Sequence, residues 1–306
     1  MDKIKKMLAD FEREPDEIIK AGDKSVHIFD IHGENTDKKV VEEFGEEWAK
    51  FNEFSENDIQ LAGTKYFDII DETIVNKQTY VIDIGCGTGR WSKFLSHRAG
   101  FIEVVDPSDA IFQAAKILNN IHNVRLTKAS IDTLPFNDET FDFGMSVGVL
   151  HHIPDTQKAI KDCVKKIKTG GFFYVYLYSN LENYGYFFVI LFKLSDILRK
   201  IICKLPSKIK KSVCDFLAVI LYLPFVTLAR VLNFFGLQKM ALHVPLNDYA
   251  DKSFFMIRND ALDRFGTRRE HRFSKIEVLE LMQNAGLSNI IVSKHVPFYH
   301  CVGQKV

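Results

Sequence analysis

Short apolar runs alternate with helical stretches along much of this 306-residue chain, and this alternation predicts an α/β fold. Five apolar runs between residues 79 and 180 are expected to be strands, and stretches such as residues 109–118 are expected to be helices between them. Two further strands are expected at residues 288–292 and 299–302. Because strands separated by helices usually pair in parallel, we expect a mostly parallel sheet covered by helices on both faces.

The most informative segment is residues 81–91, where an apolar strand reaches Asp83 and three glycines follow at alternate positions. Glycine adopts positive φ and lets a ligand approach the backbone, and the free N–H groups of the next helix favour a polar or anionic group. The dinucleotide fingerprint G-x-G-x-x-G would have its third glycine where this chain has Arg90. The segment alone leaves open a merely structural turn or a nucleotide other than NAD.

A second buried strand is expected at residues 101–106, and it ends in Asp106, 21 residues after Gly85. A carboxylate at this place can accept hydrogen bonds from both ribose hydroxyls of a nucleoside cofactor. The alternative is an acid that only caps the helix beginning after Pro107 and Ser108.

These segments resemble a known family when they are taken in order. The D-x-G-x-G-x-G pattern of residues 83–89 resembles motif I of the class I S-adenosylmethionine (SAM)-dependent methyltransferases. Residues 141–155, with their Leu-His-His-Ile-Pro-Asp turn, resemble the fourth strand of that family. The resemblance covers residues 79–180 and 272–304, and it is to the metal-independent, small-molecule type. It implies a Rossmann-like, seven-stranded, mostly parallel sheet with one antiparallel strand, and SAM as the cofactor.

The resemblance also assigns residues to the cofactor site. These are Asp83, Gly85, Cys86, Gly87, Gly89, Asp106, Pro107, Ser130, Ile131 and Val147. Residues 129–136 resemble the loop that contacts adenine, but many relatives carry an acid where this chain has Ser130. A backbone carbonyl or Asp132 is therefore the alternative partner of the adenine amino group.

Composition limits the remaining functions. Forty basic and forty acidic residues cancel, so no overall charge attracts nucleic acid, and no RNA-binding module is recognisable. Five scattered cysteines form no C-x-x-C pair, which predicts neither a zinc site nor a disulfide framework and is typical of a reducing cytoplasm. The first ten residues are charged and lack the apolar centre of a signal peptide. We expect a cytoplasmic protein without a metal site or a nucleic-acid partner.

An N-terminal extension, residues 1–75, precedes the SAM-binding core at residues 76–180. Within the extension, Phe44, Trp48 and Phe51 recur at helical spacing and are followed by a further aromatic residue, Phe54, so we expect a helical segment. The aromatic stripe either packs the extension onto the core or lets residues 44–48 close over the cofactor as a lid. The two roles are compatible.

An apolar insertion, residues 181–265, separates the core from its closing segment, residues 266–306, and we expect it to form a helical cap. Within it, residues 216–235 carry one charge, Arg230, and are about as long as a membrane span requires. Pro224 in this run, and the return of the chain to the same sheet, argue against a span.

The insertion also contains a basic segment. Seven Lys or Arg and one acid lie between residues 193 and 211, beside apolar stretches, which is a pattern of helices that lie on a membrane surface. The alternatives are a cap that packs within the protein, a cap that binds a lipid-like or apolar substrate, and an oligomer interface.

Candidate substrate contacts are Tyr184, Arg258 and Arg268. The two arginines are chosen because a guanidinium group binds carboxylate or phosphate through paired N–H donors. A solvated loop with internal ion pairs is the alternative for this arginine-rich segment.

Candidate catalytic residues follow the fourth and fifth strands. His152 is the preferred general base and His151 the second candidate, because imidazole exchanges protons near neutral pH. Tyr178 is expected to contact the substrate. The alternative for either histidine is a side chain that caps a turn.

Together these patterns predict a SAM-dependent methyltransferase that modifies an oxygen or nitrogen atom of a small metabolite, with apolar, glycosyl and lipid-linked acceptors as candidates. The alternatives are a SAM-binding scaffold without catalysis, and a transfer other than methylation on the same fold.

Overall fold

The computed structural model describes residues 8–48, 55–182 and 185–306. Within these residues a single sheet has nine strands: β1 Glu17–Ala21, β2 Lys24–Ile28, β3 Tyr80–Ile84, β4 Phe101–Val105, β5 Val124–Lys128, β6 Phe141–Val147, β7 Ile167–Tyr176, β8 Leu287–Val292 and β9 His300–Lys305. The helices are α1 Lys38–Trp48, α2 Glu56–Tyr66, α3 Arg90–Ser96, α4 Ala110–Ile117, α5 Thr156–Lys165, α6 Tyr186–Ile202, α7 Ser207–Leu217, α8 Leu223–Phe234, α9 Gln238–Ala241, α10 Phe254–Gly266 and α11 Lys275–Gln283.

The strand order is β1-β2-β5-β4-β3-β6-β7-β9-β8. Strand β3 pairs in parallel with β4 on one side and with β6 on the other. The order in which successive strands are added to the sheet therefore reverses next to β3. Open sheets of this kind bind ligands at the carboxyl ends of the strands beside such a reversal. Strand β9 pairs antiparallel with both β7 and β8, which confirms the one antiparallel closing strand expected for the core.

The central strands are apolar on both faces because both faces are covered. All five residues of β3 and of β4 are buried. Residues of α2, α3 and α4 share one hydrophobic cluster, and residues of α5 and α11 share the cluster on the other face. The predicted fold class is thus confirmed. A capping box begins α11, because the Ser274 side chain accepts from the Glu277 N–H and the Glu277 side chain accepts from the Ser274 N–H.

The N-terminal extension differs from the helical segment that the sequence predicts. It begins with an antiparallel hairpin, β1 and β2, and β2 joins the sheet through parallel pairing with β5. This hairpin raises the strand number from seven to nine. Helix α1 then covers the expected helical stretch up to Trp48, whereas Phe51 and Phe54 lie outside the described residues.

The chain divides into two compact units. One comprises residues 1–180 and 271–306 and contains the sheet, and the other comprises residues 181–270. The second unit is helical and contains α6 to α10. Inside it, the Asp260 carboxylate accepts hydrogen bonds from the hydroxyls of Tyr222 and Tyr249, and Arg258 forms two hydrogen bonds with Asp215.

Candidate functional site

The glycine turn after β3 is held by the neighbouring strand. The backbone N–H groups of Gly85 and Cys86 both donate to the carbonyl of Val105, at 2.8 and 2.9 Å. Gly85, Gly87 and Gly89 have φ of +78°, +55° and +77°, a backbone region that residues other than glycine rarely adopt. At Gly87 a Cβ would have the indole of Trp48 as its nearest neighbour, at 3.8 Å, so the turn approaches α1 at this point.

Asp106 ties the end of β4 to this turn. One carboxylate oxygen accepts from the Gly87 N–H at 2.8 Å, and the other accepts from the N–H and hydroxyl of Ser108. The side chain is buried, and burial raises the pKa of this carboxyl above its usual range, partly offset by these hydrogen bonds. Asp106, the residue predicted to bind the ribose, therefore lies directly beside the predicted glycine turn.

Asp83 adds a second buried carboxylate at the same end of the sheet. One oxygen accepts from the Ser92 hydroxyl at 2.6 Å, whereas the other has no hydrogen-bond partner among the described residues. Burial raises the pKa of Asp83 to about 7, and the negative charge of Asp106 contributes to the increase. The hydroxyl of Thr88 is likewise buried without a partner in the described part of the chain. Buried polar atoms without partners are rare in folded proteins, so the turn is suited to a polar ligand.

The predicted catalytic side chains converge after β6 and β7. The rings of His151 and Tyr178 have centroids 3.8 Å apart, and those of His151 and His152 are 4.1 Å apart. Both histidines are buried, and neither ring nitrogen of His151 has a hydrogen-bond partner among the described residues. Burial lowers the pKa of His151 well below its usual value, and the nearby His152 lowers it further. His151 is therefore neutral at pH 7.

Two further residues adjoin this cluster, Arg272, which was not a named candidate, and Phe44, which lies in the predicted lid. Arg272 places its guanidinium 5.2 Å from the ring centroid of Tyr178 and donates to the carbonyl of Ser179. Phe44 of α1 lies against His152, with 4.9 Å between ring centroids. The arginine-rich segment of the sequence contains Arg272, but nothing in that segment distinguishes it from its neighbours before folding.

The loop after β5 is held by local hydrogen bonds. The Ser130 hydroxyl lies 3.0 Å from the hydroxyl of Thr133 at the start of a short 3-10 helix, Ile131–Thr133. The carboxylate of Asp132 accepts from the N–H of Asn35 and the hydroxyl of Thr36, and it pairs with Lys158. Asp132 thus anchors the segment before α1, and an adenine contact by Ser130 or Asp132 stays a prediction.

The remaining candidates are distributed as follows. Cys86, Pro107 and Val147 lie at the carboxyl ends of β3, β4 and β6, with Cys86 and Val147 buried. Tyr184 lies outside the described residues. Arg258 and Arg268 belong to the helical unit, where Asp215 engages the guanidinium of Arg258 and the Arg268 carbonyl accepts from Arg199. Their role in substrate binding stays a prediction.

Comparison with known proteins agrees with this geometry. Residues 82–175 match the family model described as a methyltransferase domain. This match covers less than half of the chain, and it agrees with the predicted resemblance to class I SAM-dependent methyltransferases. The matched residues run from β3 to β7, so the domain contains the glycine turn, Asp106 and both histidines.

Relatives of the methyltransferase domain include methyltransferases whose names refer to ubiquinone and to demethylmenaquinone. The ubiquinone biosynthesis O-methyltransferase of Coxiella burnetii is 28% identical in an alignment of 155 positions that covers 46% of this chain and 65% of that protein. The match therefore spans slightly less than two thirds of this relative. The demethylmenaquinone methyltransferase of Staphylococcus aureus is 32% identical over 102 residues, 32% of this chain and 42% of that protein.

Solved structures similar to this chain also include methyltransferases. A SAM-dependent methyltransferase from Thermotoga maritima superposes with a TM-score of 0.43 and 16% identity, covering 85% of this chain and 94% of that one.

Proposed function

We propose that this protein transfers the methyl group of SAM to an oxygen or nitrogen atom of a small-molecule acceptor. The observation that carries the proposal is the convergence, at one edge of the sheet, of the glycine turn with the Asp106 carboxylate and the His151, His152 and Tyr178 cluster. SAM supplies an electrophilic methyl group on a sulfonium, so the protein has to hold a nucleophile in line with it and exclude water.

The charges at the turn fit this cofactor. Asp83 and Asp106 are both buried, and each ionised carboxylate makes the ionisation of the other less favourable. A ligand that brings an ammonium and a sulfonium group compensates such a site, because a nearby cation stabilises the charged form of a carboxylate. Asp106 would hold the ribose, while Asp83 and the turn would face the amino-acid end.

The histidine and tyrosine cluster fits the acceptor side. An acceptor hydroxyl has to lose its proton during methylation, and we assign His152 as the general base that accepts this proton. His151 has a strongly lowered pKa and is a weak base, so its role is to hold the rings of His152 and Tyr178 through direct ring contact. Arg272, 5.2 Å from the Tyr178 ring, would orient an acceptor with a negatively charged or polar group.

Helix α1 fits the role of a lid. Phe44 contacts His152, Trp48 lies opposite Gly87, and Gly45 packs against the start of α4. The helix therefore covers the turn and the histidines at once, and its closure would exclude water from the reacting atoms.

Two quinone-pathway enzymes among the relatives support an aromatic or lipid-linked acceptor. An aromatic ring would stack on the aromatic cluster, and a phenolic hydroxyl would be a nucleophile that His152 deprotonates. We place the reaction in the cytoplasm, with a small molecule as the partner of the site.

Calorimetric titration with SAM and with S-adenosylhomocysteine tests the cofactor site. We expect a dissociation constant on the order of micromolar for the wild type. Gly87→Arg and Asp106→Ala should weaken binding at least roughly tenfold, a loss of about 1.4 kcal/mol. Gly170→Arg is the matched control, because Gly170 also has positive φ, at +81°, but no atom lies within 4 Å of its would-be Cβ. Failure of the wild type to bind either ligand would overturn the proposal.

Conversion of SAM to S-adenosylhomocysteine, measured with a panel of phenols, amines, glycosides and a lipid extract, tests the transfer itself. With an accepted substrate, His152→Ala should lower kcat by about 10²- to 10⁴-fold. Its SAM affinity should stay within about threefold of wild type, since a general base acts on the acceptor. An unchanged kcat would refute the assignment of the base, and a product without a new methyl group would refute methyl transfer.

A further inference from the structure

The long helical run of the inserted unit has an unusual distribution of apolar residues. Residues Ser207–Phe234 form a continuous helical run of 28 residues that is long and apolar enough to cross a membrane by length and composition. The stripe that it buries is Lys210, Cys214, Ala218, Tyr222, Val226 and Ala229. This stripe is small or partly polar, unlike the buried face of an ordinary amphipathic helix.

The large apolar residues of this run are on the outside. Those with substantial exposure are Ile209, Phe216, Val219, Ile220, Leu221, Phe225, Leu228, Val231 and Phe234. Phe234 is 84% exposed and the adjoining Phe235 is 68% exposed, and Leu242 farther along is 70% exposed. Helix α6 contributes a second exposed stripe, Ile190, Leu194, Ile197 and Ile201, at helical spacing. Exposed apolar stripes of this length on two helices are typical of an interaction site.

Cationic side chains border the apolar stripes. Lys193, Lys200, Lys204 and Lys208 are exposed on α6, on the connection and at the start of α7. Between residues 193 and 211 the only acid is Asp196, which pairs with Arg199 and Lys200. The surface therefore combines exposed aliphatic and phenyl groups with a positive margin, the chemistry that recognises anionic lipid head groups above an acyl layer.

The chain ends of the insertion exclude a single crossing. The N–H of Asn180, before the insertion, donates to the carbonyl of Phe273, after it, at 2.9 Å. Both ends therefore leave the sheet at the same place and lie on the same side of any membrane. Within the insertion, Arg230 is also tied to the carbonyls of Ala250 and Lys252, so one side of the helical run is committed to protein contacts.

We propose that the exposed face of residues 190–242, which we name the apolar face, docks on the surface of an anionic lipid bilayer. The helices lie in the interfacial layer, with the apolar side chains among the acyl chains and the lysines beside lipid phosphates. Charge favours a bilayer over a second copy of the chain. A two-fold interface would place the same lysine-bordered surface against itself, and like charges would repel.

Flotation of the purified full-length protein with vesicles tests this docking. We expect co-flotation with phosphatidylcholine vesicles that contain phosphatidylglycerol, and at least about tenfold weaker partitioning onto pure phosphatidylcholine. Partitioning should fall as salt rises, since screening weakens attraction between lysines and lipid. The readout needs neither SAM nor an acceptor, so it is independent of methyl transfer.

Two sets of variants separate the apolar from the ionic contribution. Phe234→Ser with Phe235→Ser should abolish flotation, whereas Ile276→Ser with Ile291→Ser, exposed apolar residues of the sheet unit, should not change it. Lys200→Glu, Lys204→Glu and Lys208→Glu together should weaken partitioning at least about tenfold. The matched triple change Lys116→Glu, Lys161→Glu and Lys294→Glu, also exposed, should have little effect. Circular dichroism melting confirms that each variant folds.

Three outcomes would overturn the proposal. One is a wild type that floats with neither vesicle type. Another is a folded Phe234 and Phe235 double variant that partitions as the wild type does. The third is wild-type self-association in sedimentation velocity, without vesicle binding, that the double variant dissociates, because the occupant is then a second copy.

Discussion

At the scale of single residues, the two buried carboxylates define the site most sharply. Asp106 uses both oxygens for the Gly87 N–H and for Ser108, whereas Asp83 leaves one oxygen without a partner in the described part of the chain. The raised pKa of Asp83, about 7, means that the folded protein retains a proton there which the unfolded chain loses near pH 3.8. The stabilisation that the folded protein gains from holding this proton on Asp83 is therefore lost as pH rises from about 4 to 7.

A pH dependence of cofactor binding follows from Asp83. A cationic ligand favours the ionised carboxylate, so SAM affinity should rise on the order of tenfold between about pH 5.5 and 7. Asp83→Asn keeps the acceptor for Ser92 but cannot ionise, and its affinity should be nearly constant over this range. The control is Asp16→Asn, an exposed residue, which should behave as the wild type. Calorimetry at several pH values measures the effect, and an equal slope in Asp83→Asn would exclude this carboxyl as its source.

At the scale of elements, Gly45 lets helix α1 pack closely against the start of α4. A Cβ on Gly45 would lie 3.2 Å from both the Ser108 Cβ and the Asp109 nitrogen. This close approach lets Phe44 reach His152 and brings Trp48 opposite Gly87. The sequence shows only aromatic residues at helical spacing, and the partner of each ring depends on how α1 docks on the sheet unit.

Gly45→Leu should displace α1 and open the proposed lid. Overpacking of a close contact costs about 1–3 kcal/mol, so we expect roughly tenfold weaker binding of S-adenosylhomocysteine while the sheet stays folded. Glu42→Leu, at an exposed position of the same helix, controls for adding leucine to α1. Calorimetry and thermal melting check both variants. Unchanged affinity in Gly45→Leu would mean that α1 does not cover the cofactor.

At the scale of the whole molecule, the sheet unit contains its own hydrophobic core. Both large clusters of buried residues belong to residues 1–180 and 271–306. The hydrogen bond between Asn180 and Phe273 brings the two ends of the inserted unit together. Units with their own core and adjacent ends tolerate removal of an insertion.

Replacement of residues 181–270 by a short glycine-serine linker should therefore leave a folded methyltransferase domain. We expect SAM affinity within about threefold of the full chain, since the turn and Asp106 keep their partners, and we expect loss of vesicle flotation. Calorimetry, melting and flotation measure the three properties. A domain that is folded but still floats would place the membrane contact outside the inserted unit.

The sequence by itself determined the features that depend on local chemistry. Positive φ has to be met by glycine, so Gly85, Gly87 and Gly89 mark the turn before any contact is known. The short, mostly apolar stretches at residues 80–84 and 101–105, each bounded by turn residues, favour strands covered on both faces. Ser274 and Glu277 satisfy a helix end within four residues.

Only the tertiary structure decided the features that depend on which distant groups meet. Whether Arg258 binds a ligand or a neighbour depends on Asp215, 43 residues away, and the two hydrogen bonds between them form only when α7 packs on α10. Packing also decides which side of α8 is buried. The helix is apolar on most sides, so its sequence would allow almost any side to face the protein interior. Local patterns specify φ and periodicity, but burial across the whole chain decides which residues become partners. This burial leaves Phe234 exposed and Tyr222 buried.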